Sequence, residues 1–169
     1  MRFAGIIGAM GLAALLGGCA VHSSEAVKTL PSDMIKQARI YTITVKSVPD
    51  NVSSGFKPEL ESMLRLGMDD CAQGQSWLNL EVTVIQLKKS DAGKAFLVGD
   101  SNVVKGQARL VDPTSGAVVG DYDIGYSVGG GGLAAALAMS QAESSMARGF
   151  AKQVCDTAFP GHPRFRRLG

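Results

Sequence analysis

Apolar and polar positions alternate along four stretches of the chain and recur at three- and four-residue spacing along two others. From Arg39, the residues Ile40, Thr42, Thr44 and Lys46 alternate with Tyr41, Ile43, Val45 and Val48. β-Branched residues dominate, so the pattern predicts a strand ending near Pro49. Phe56, Leu60, Met63, Leu64, Gly67 and Cys71 then mark one face of a helix. Ser53 or Ser54 is placed to cap it, with Pro58 in its first turn. Trp77 to Leu87 is the clearest alternation, with Leu78, Leu80, Val82 and Val84 facing one way. Lys88 to Gly99 is a polar loop with an apolar insert, Ala95 to Val98. Asn102 to Val111 and Ala117 to Val128 read as strands flanking a hairpin. Its turn is Asp112-Pro113-Thr114-Ser115-Gly116, where proline presets φ and glycine supplies a positive one. Gly129 to Gly132 leads into an alanine-rich helix predicted from Leu133 to about Ala158. Met139, Ala142, Met146, Phe150 and Val154 line its apolar face, opposite Arg148, Lys152 and Asp156. Glu143 interrupts that stripe, and Pro160 ends the helix.

The predicted order is β-α-β-β-β-α over residues 39–160. It implies an α+β domain: a mostly antiparallel four-stranded sheet with two helices packed on one face. Trp77–Leu87 and Ala117–Val128 are the expected edge-bearing strands.

The first residues follow a different logic. Arg2 supplies a positive charge, Phe3 to Leu16 is apolar, and Leu16-Gly17-Gly18-Cys19 follows. Charge, short apolar core and small residues at a cut are the order of a signal peptide, here residues 1–18. The apolar run is shorter than the roughly 20 residues that span a bilayer. The Leu-Gly-Gly-Cys ending resembles the lipobox of bacterial lipoproteins. The resemblance implies that the Cys19 sulfur receives a diacylglycerol and that the freed amino group is acylated. Ala20 in the next position, where inner-membrane lipoproteins carry Asp, implies a lipid-anchored place at the periplasmic face of the outer membrane. Residues 19–38 are mostly small and polar and read as a lipidated tether, with a short helix around Asp33–Ala38 as the alternative.

Loss of residues 1–18 leaves 151 residues of the 169, enough for one domain with its own core. It also leaves 16 basic and 15 acidic side chains, a balance that argues against a nucleic-acid partner. Cys71 and Cys155 form an even pair in an oxidising compartment, at similar places near two helix C-termini. A disulfide between them is expected, with two buried free thiols as the alternative.

Candidate chemistry is sparse. The two histidines, His22 and His162, fall in the tether and in the tail, residues 161–169. No His/Cys/Asp/Glu set has zinc spacing, and no cofactor motif is present. Asp121 and Asp123 point the same way on a strand, an arrangement open to a cation or acid/base pair and equally to a solvated strand face. The glycine run lacks the Lys-Ser/Thr of a phosphate loop. Arg164, Arg166 and Arg167 form a local charge excess suited to lipid phosphate or acidic partners, or to a frayed polar terminus.

The lipobox, the hairpin GQARLVDPTSGAVVGDYDI (Gly106–Ile124) and the helix AESSMARGFAKQVCD (Ala142–Asp156) together resemble a group of small bacterial envelope lipoproteins of unknown function. That resemblance implies a non-enzymatic envelope component. The favoured expectation is a partner-binding or assembly module joined to the membrane by its lipid, acting on another envelope protein or on copies of itself. A carrier or sensor of a lipid or small apolar ligand is the second class, and a hydrolase ranks last.

Overall fold

The structure, a computed structural model, describes residues 20–91, 100–130 and 141–161. The elements, in order, are β1 (Ala20–His22), β2 (Glu25–Lys28), α1 (Ser32–Gln37), β3 (Ala38–Ser47), α2 (Phe56–Cys71), β4 (Ser76–Lys88), β5 (Asp100–Val111), β6 (Val118–Gly130) and α3 (Ala142–Ala158). Among the described residues the domain is α+β, with a mixed six-stranded sheet and three helices. The sheet order is β1-β6-β5-β4-β3, and β2 also pairs with β6.

The strand phases explain the layering. Leu78, Leu80, Val82 and Val84 on β4, with Val104, Ala108 and Leu110 on β5 and Tyr122 and Ile124 on β6, are all buried. They face α2 and α3, whose stripes Phe56-Leu60-Leu64-Met68 and Met146-Phe150-Val154 are equally buried. The two helices pack against each other and against the sheet. Their fit is close. A Cβ on Gly149 would lie 2.2 Å from the ring of Tyr126, so α3 approaches β6 only because that position has no side chain.

Three expectations are corrected. The sheet is mostly antiparallel as expected, but it has six strands rather than four and one of its pairings is parallel. β3 runs parallel to β4, in register from Ala38↔Ser76 to Ser47↔Thr83, with α2 as the crossover. Period-two alternation tells which face a residue takes but not which neighbour its strand takes, so the parallel pair was invisible in the pattern. The edges also differ. β4 lies between β3 and β5, and β6 between β5 and the β1/β2 pair, so both supposed edge strands are interior.

The third correction concerns the tether. From Ala20 onward it belongs to the domain. β1 pairs with β6 as Ala20↔Val128, Val21↔Ser127 and His22↔Tyr126, and β2 pairs as Glu25↔Asp123 and Ala26↔Tyr122. Between them the Ser23 N–H donates to Gly125 O at 3.2 Å, and the Ser24 hydroxyl donates to the buried Gln153 at 3.4 Å. Leu30 is 1 % exposed, and its N–H donates to the hydroxyl of the buried Tyr122 at 2.9 Å. Burial pushes the Tyr122 phenol pKa up, against the lowering effect of that bond. The short helix given as the alternative around Asp33–Ala38 is present as α1.

Other expectations hold closely. α2 has the expected bounds. Its start differs, because Gly55 occupies the N-cap with no side-chain bond. The β5–β6 turn is built by Asp112, whose carboxylate accepts the N–H groups of Ser115 and Thr114, each at 2.8 Å. Those bonds hold its pKa below the usual carboxylate value. Gly116 closes the turn at φ 70. α3 is described from Ala142. The expected helical stretch before residue 141 lies outside the described residues.

Candidate functional site

Alternation that sends Ala38 and Ile40 inward sends Arg39 and Tyr41 to the opposite face of β3. On β4, the same phase sends Trp77 outward beside Leu78. Arg39 and Trp77 are register partners, so the three side chains meet. Tyr41 meets Trp77 edge-on at 5.6 Å between centroids, and the Arg39 guanidinium lies 4.9 Å from the centre of the Trp77 ring. Tyr41 is 63 % exposed and Trp77 48 %. Beside them the Thr42 hydroxyl donates to Asn79 Oδ1 at 2.7 Å.

The backbone under this cluster is held from the helix layer. Arg65 on α2 reaches over the β3 edge and donates to Tyr41 O at 3.3 Å and Ile40 O at 3.5 Å. Glu61, one turn earlier, accepts the Val45 N–H at 3.2 Å. These side chains occupy edge groups that another strand would otherwise pair with. What β3 offers is therefore a side-chain surface more than a bare strand edge. An exposed cation–π contact is worth about 0.5–1 kcal/mol and an aromatic pair about 0.5–1.5 kcal/mol. The cluster is thus pre-arranged at little gain to the fold while keeping two large aromatic faces in water. Tyr, Trp and Arg are the residue types that dominate binding energy at protein interfaces.

Charges dominate the middle of that face. Lys46 pairs with Glu81 at 2.8 Å and Arg109 with Asp121 at 3.3 Å. Glu81 and Arg109 are register partners, so charges of alternating sign cross β3, β4, β5 and β6 in one row. A groove of about 420 Å³ lies on this face, lined in part by Ser23, Ile85, Lys105 and Asp123. Alternation after the buried Val84 sends Ile85 outward there, 68 % exposed, and the β-bulge that follows returns Leu87 to the core. The space between sheet and helices, where the alternative carrier reading would place a ligand, is filled by Phe56, Phe150, Leu60, Leu64 and Tyr122, all under 2 % exposed.

The sequence candidates fare differently. Cys71 and Cys155 are joined in a disulfide, Cα to Cα 6.0 Å, linking the C-terminal ends of α2 and α3. Cys19, Arg164, Arg166, Arg167 and His162 lie outside the described residues. Asp121 pairs with Arg109 in the charge row, while Asp123 is exposed on the same face and lines the groove. His22 is not in a loose tether. It stands in β1 with its ring stacked on Tyr126, 5.8 Å between centroids. Gly129 and Gly130 end β6, opposite Ser101 and Asp100. Among the described residues, no group of three or more His, Cys, Asp or Glu is placed to hold a metal, and no helix is long and apolar enough to cross a membrane.

The Arg39–Tyr41–Trp77 cluster was not singled out from the sequence. Its signal was present: both aromatics stand on the polar phase of strands whose other phase is buried. Residue spacing does not show that separate strands place them side by side.

The sequence matches no family model and no curated protein. Solved structures of PelC are among those similar to it. The PelC dodecamer from Paraburkholderia phytofirmans in space group P6 aligns at 12 % identity, with TM-score 0.41, over 79 % of this chain and 98 % of that chain. A point variant of the same dodecamer in space group C2 aligns at 12 % identity and the same coverage, with TM-score 0.38. The likeness is too slight to carry activity or assembly across.

Proposed function

We propose that this protein is a lipid-anchored envelope component that acts by binding a partner rather than by catalysis. The partner is another envelope protein or a further copy of the chain. The observation that carries this reading is the rigid, water-exposed Arg39–Tyr41–Trp77 cluster beside the β3 edge. Its composition is that of a binding hot spot, and its folding benefit is too small to account for the exposed apolar area. The filled interior favours surface binding over transport of an enclosed ligand. Anchoring through Cys19 confines the protein to two dimensions, which raises the effective concentration for weak contacts.

The test is photo-crosslinking in cells from positions 41 and 77, with position 148 on the exposed side of α3 as the control. A discrete adduct from positions 41 and 77, lost when Arg39 is changed to Ala, is the expected result. Adducts that form equally from position 148, or none from any position in protein shown to be folded, overturn the proposal. A lipid recovered from the interior of the purified monomer would put the carrier reading in its place.

A further inference from the structure

We infer that the lipidated protein stands on the bilayer by one end of its sheet, where β1 and β5 begin and β6 ends, and holds the Arg39–Tyr41–Trp77 cluster about 30 Å out in the aqueous space. This inference rests on lipid attachment at Cys19, as proposed above. It adds the orientation of the domain and the medium in which the partner must be found.

The length of chain between lipid and fold decides the matter. Cys19 immediately precedes Ala20, the first residue of β1. Consecutive Cα atoms are about 3.8 Å apart, so no spacer separates the acyl chains from the sheet. Ala20 pairs with Val128, which in turn pairs with Asn102. Those three residues mark the level at which the anchor meets the domain. At this end Ser101, Asn102, Val103, Ser127 and Val128 carry no charge, Lys89 is paired with Glu143 at 2.6 Å, and Asp91 follows at the end of β4. The nearby Asp100 is neutralised by Lys88 at 2.6 Å.

Strand directions then place the cluster. From Asn102, β5 runs to Val111, which lies opposite Asn79 on β4. At about 3.4 Å per residue that path covers about 30 Å. Trp77 lies beyond Asn79 in the same direction. β3 is also at the opposite edge of the sheet from β1. Anchor and cluster therefore occupy diagonal corners.

Only a sheet lying flat would bring both corners to the membrane. The outward face cannot do so, because it carries the row Lys46, Glu81, Arg109 and Asp121, and burying such charges in hydrocarbon is costly. The helix layer exposes Arg148, Lys152 and Asp156. Trp and Tyr are common anchors at membrane interfaces, but here geometry keeps them away from one. The partner of the cluster is water-borne.

Trp77 is the only tryptophan in the chain, so its emission reports the cluster without labelling. The lipidated full-length protein is placed in vesicles of phosphatidylcholine, with and without bromine on the acyl chains. A Ser101→Cys variant carries an environment-sensitive fluorophore, with the native disulfide left intact. Bromine is expected to quench the label at position 101 by two-fold or more and to leave Trp77 emission unchanged within a tenth. Quenching of Trp77, or equal absence of quenching at both positions in protein that carries lipid, overturns the orientation. Labelled fatty acid distinguishes the two levels of failure. If none enters the protein, the anchored reading itself is wrong and the orientation falls with it.

Discussion

Glu143 shows how a single residue reads differently in sequence and in space. In the sequence it is an acid that breaks an apolar stripe. In the structure it stands in the first turn of α3, accepts the Ser53 N–H at 3.1 Å and the Ser53 hydroxyl, and pairs with Lys89 at 2.6 Å. It therefore ties α3 to the segment entering α2 and to the end of β4. Ser53, one of the two residues expected to cap α2, uses its hydroxyl for this contact instead. Burial raises the Glu143 pKa, but the bonds from Lys89 and Ser53 outweigh it and hold the carboxyl below its ordinary 4.5. A lowered folded-state value favours the carboxylate in the fold. Its stabilisation is present above the unfolded value and is lost as pH falls through the folded one. Glu143→Gln should cost about 1–2 kcal/mol at pH 7, the range of a charge-assisted contact near the surface. Urea midpoints across a pH series check this, and the gap between variant and wild type should close as pH drops below 4.5. A gap that persists in acid would assign the loss to packing instead. The Arg39–Tyr41–Trp77 cluster illustrates the same limit. Each residue's phase was legible, while the meeting of the three depended on the register of β3 against β4.

Elements were more legible than residues, and their partners least of all. α2 and strands β3 to β6 emerge near their predicted bounds because one face of each is buried, which stamps a period on the sequence. β1 and β2 leave no such stamp. They are three and four residues long, and β2 is exposed at every position, so their pairing with β6 rests on backbone bonds that side-chain pattern does not record. The buried Leu30 was the one available sign that this stretch is folded. Leu30→Ala distinguishes the two accounts. A residue in a tether can be truncated at no cost. A leucine this deeply enclosed should lose about 2–5 kcal/mol on truncation. Chemical denaturation of the purified domain gives the number. Limited proteolysis should in parallel show cleavage between residues 20 and 30 in the variant alone. An unchanged midpoint would return the segment to the status of a tether.

At the scale of the whole molecule, the described domain is two layers held at three places: the continuous core, the paired β1–β6 edge and the Cys71–Cys155 bridge. The bridge sits inside the core, with both cysteines under 5 % exposed. It closes a stretch of 84 residues that contains β4, β5 and β6. Because so much of the sheet lies within the loop, the crosslink restricts the unfolded chain severely while adding little to a native packing that already brings the helix ends together. In the chain-entropy account, a closure of this length is worth about 4–5 kcal/mol, and native bridges in secreted domains are worth about 2–5 kcal/mol. A Cys71→Ala/Cys155→Ala variant should therefore fold to the same structure with a midpoint lowered by that amount. If the effect acts through the unfolded state, the slope of stability against denaturant should rise, because the freed chain exposes more surface. Mass spectrometry of unreduced peptides from protein isolated from its own cells should show the Cys71–Cys155 pair. Both thiols freely alkylated in that material, or equal midpoints for the oxidised protein and the double variant, would remove the bridge from among the supports of the fold.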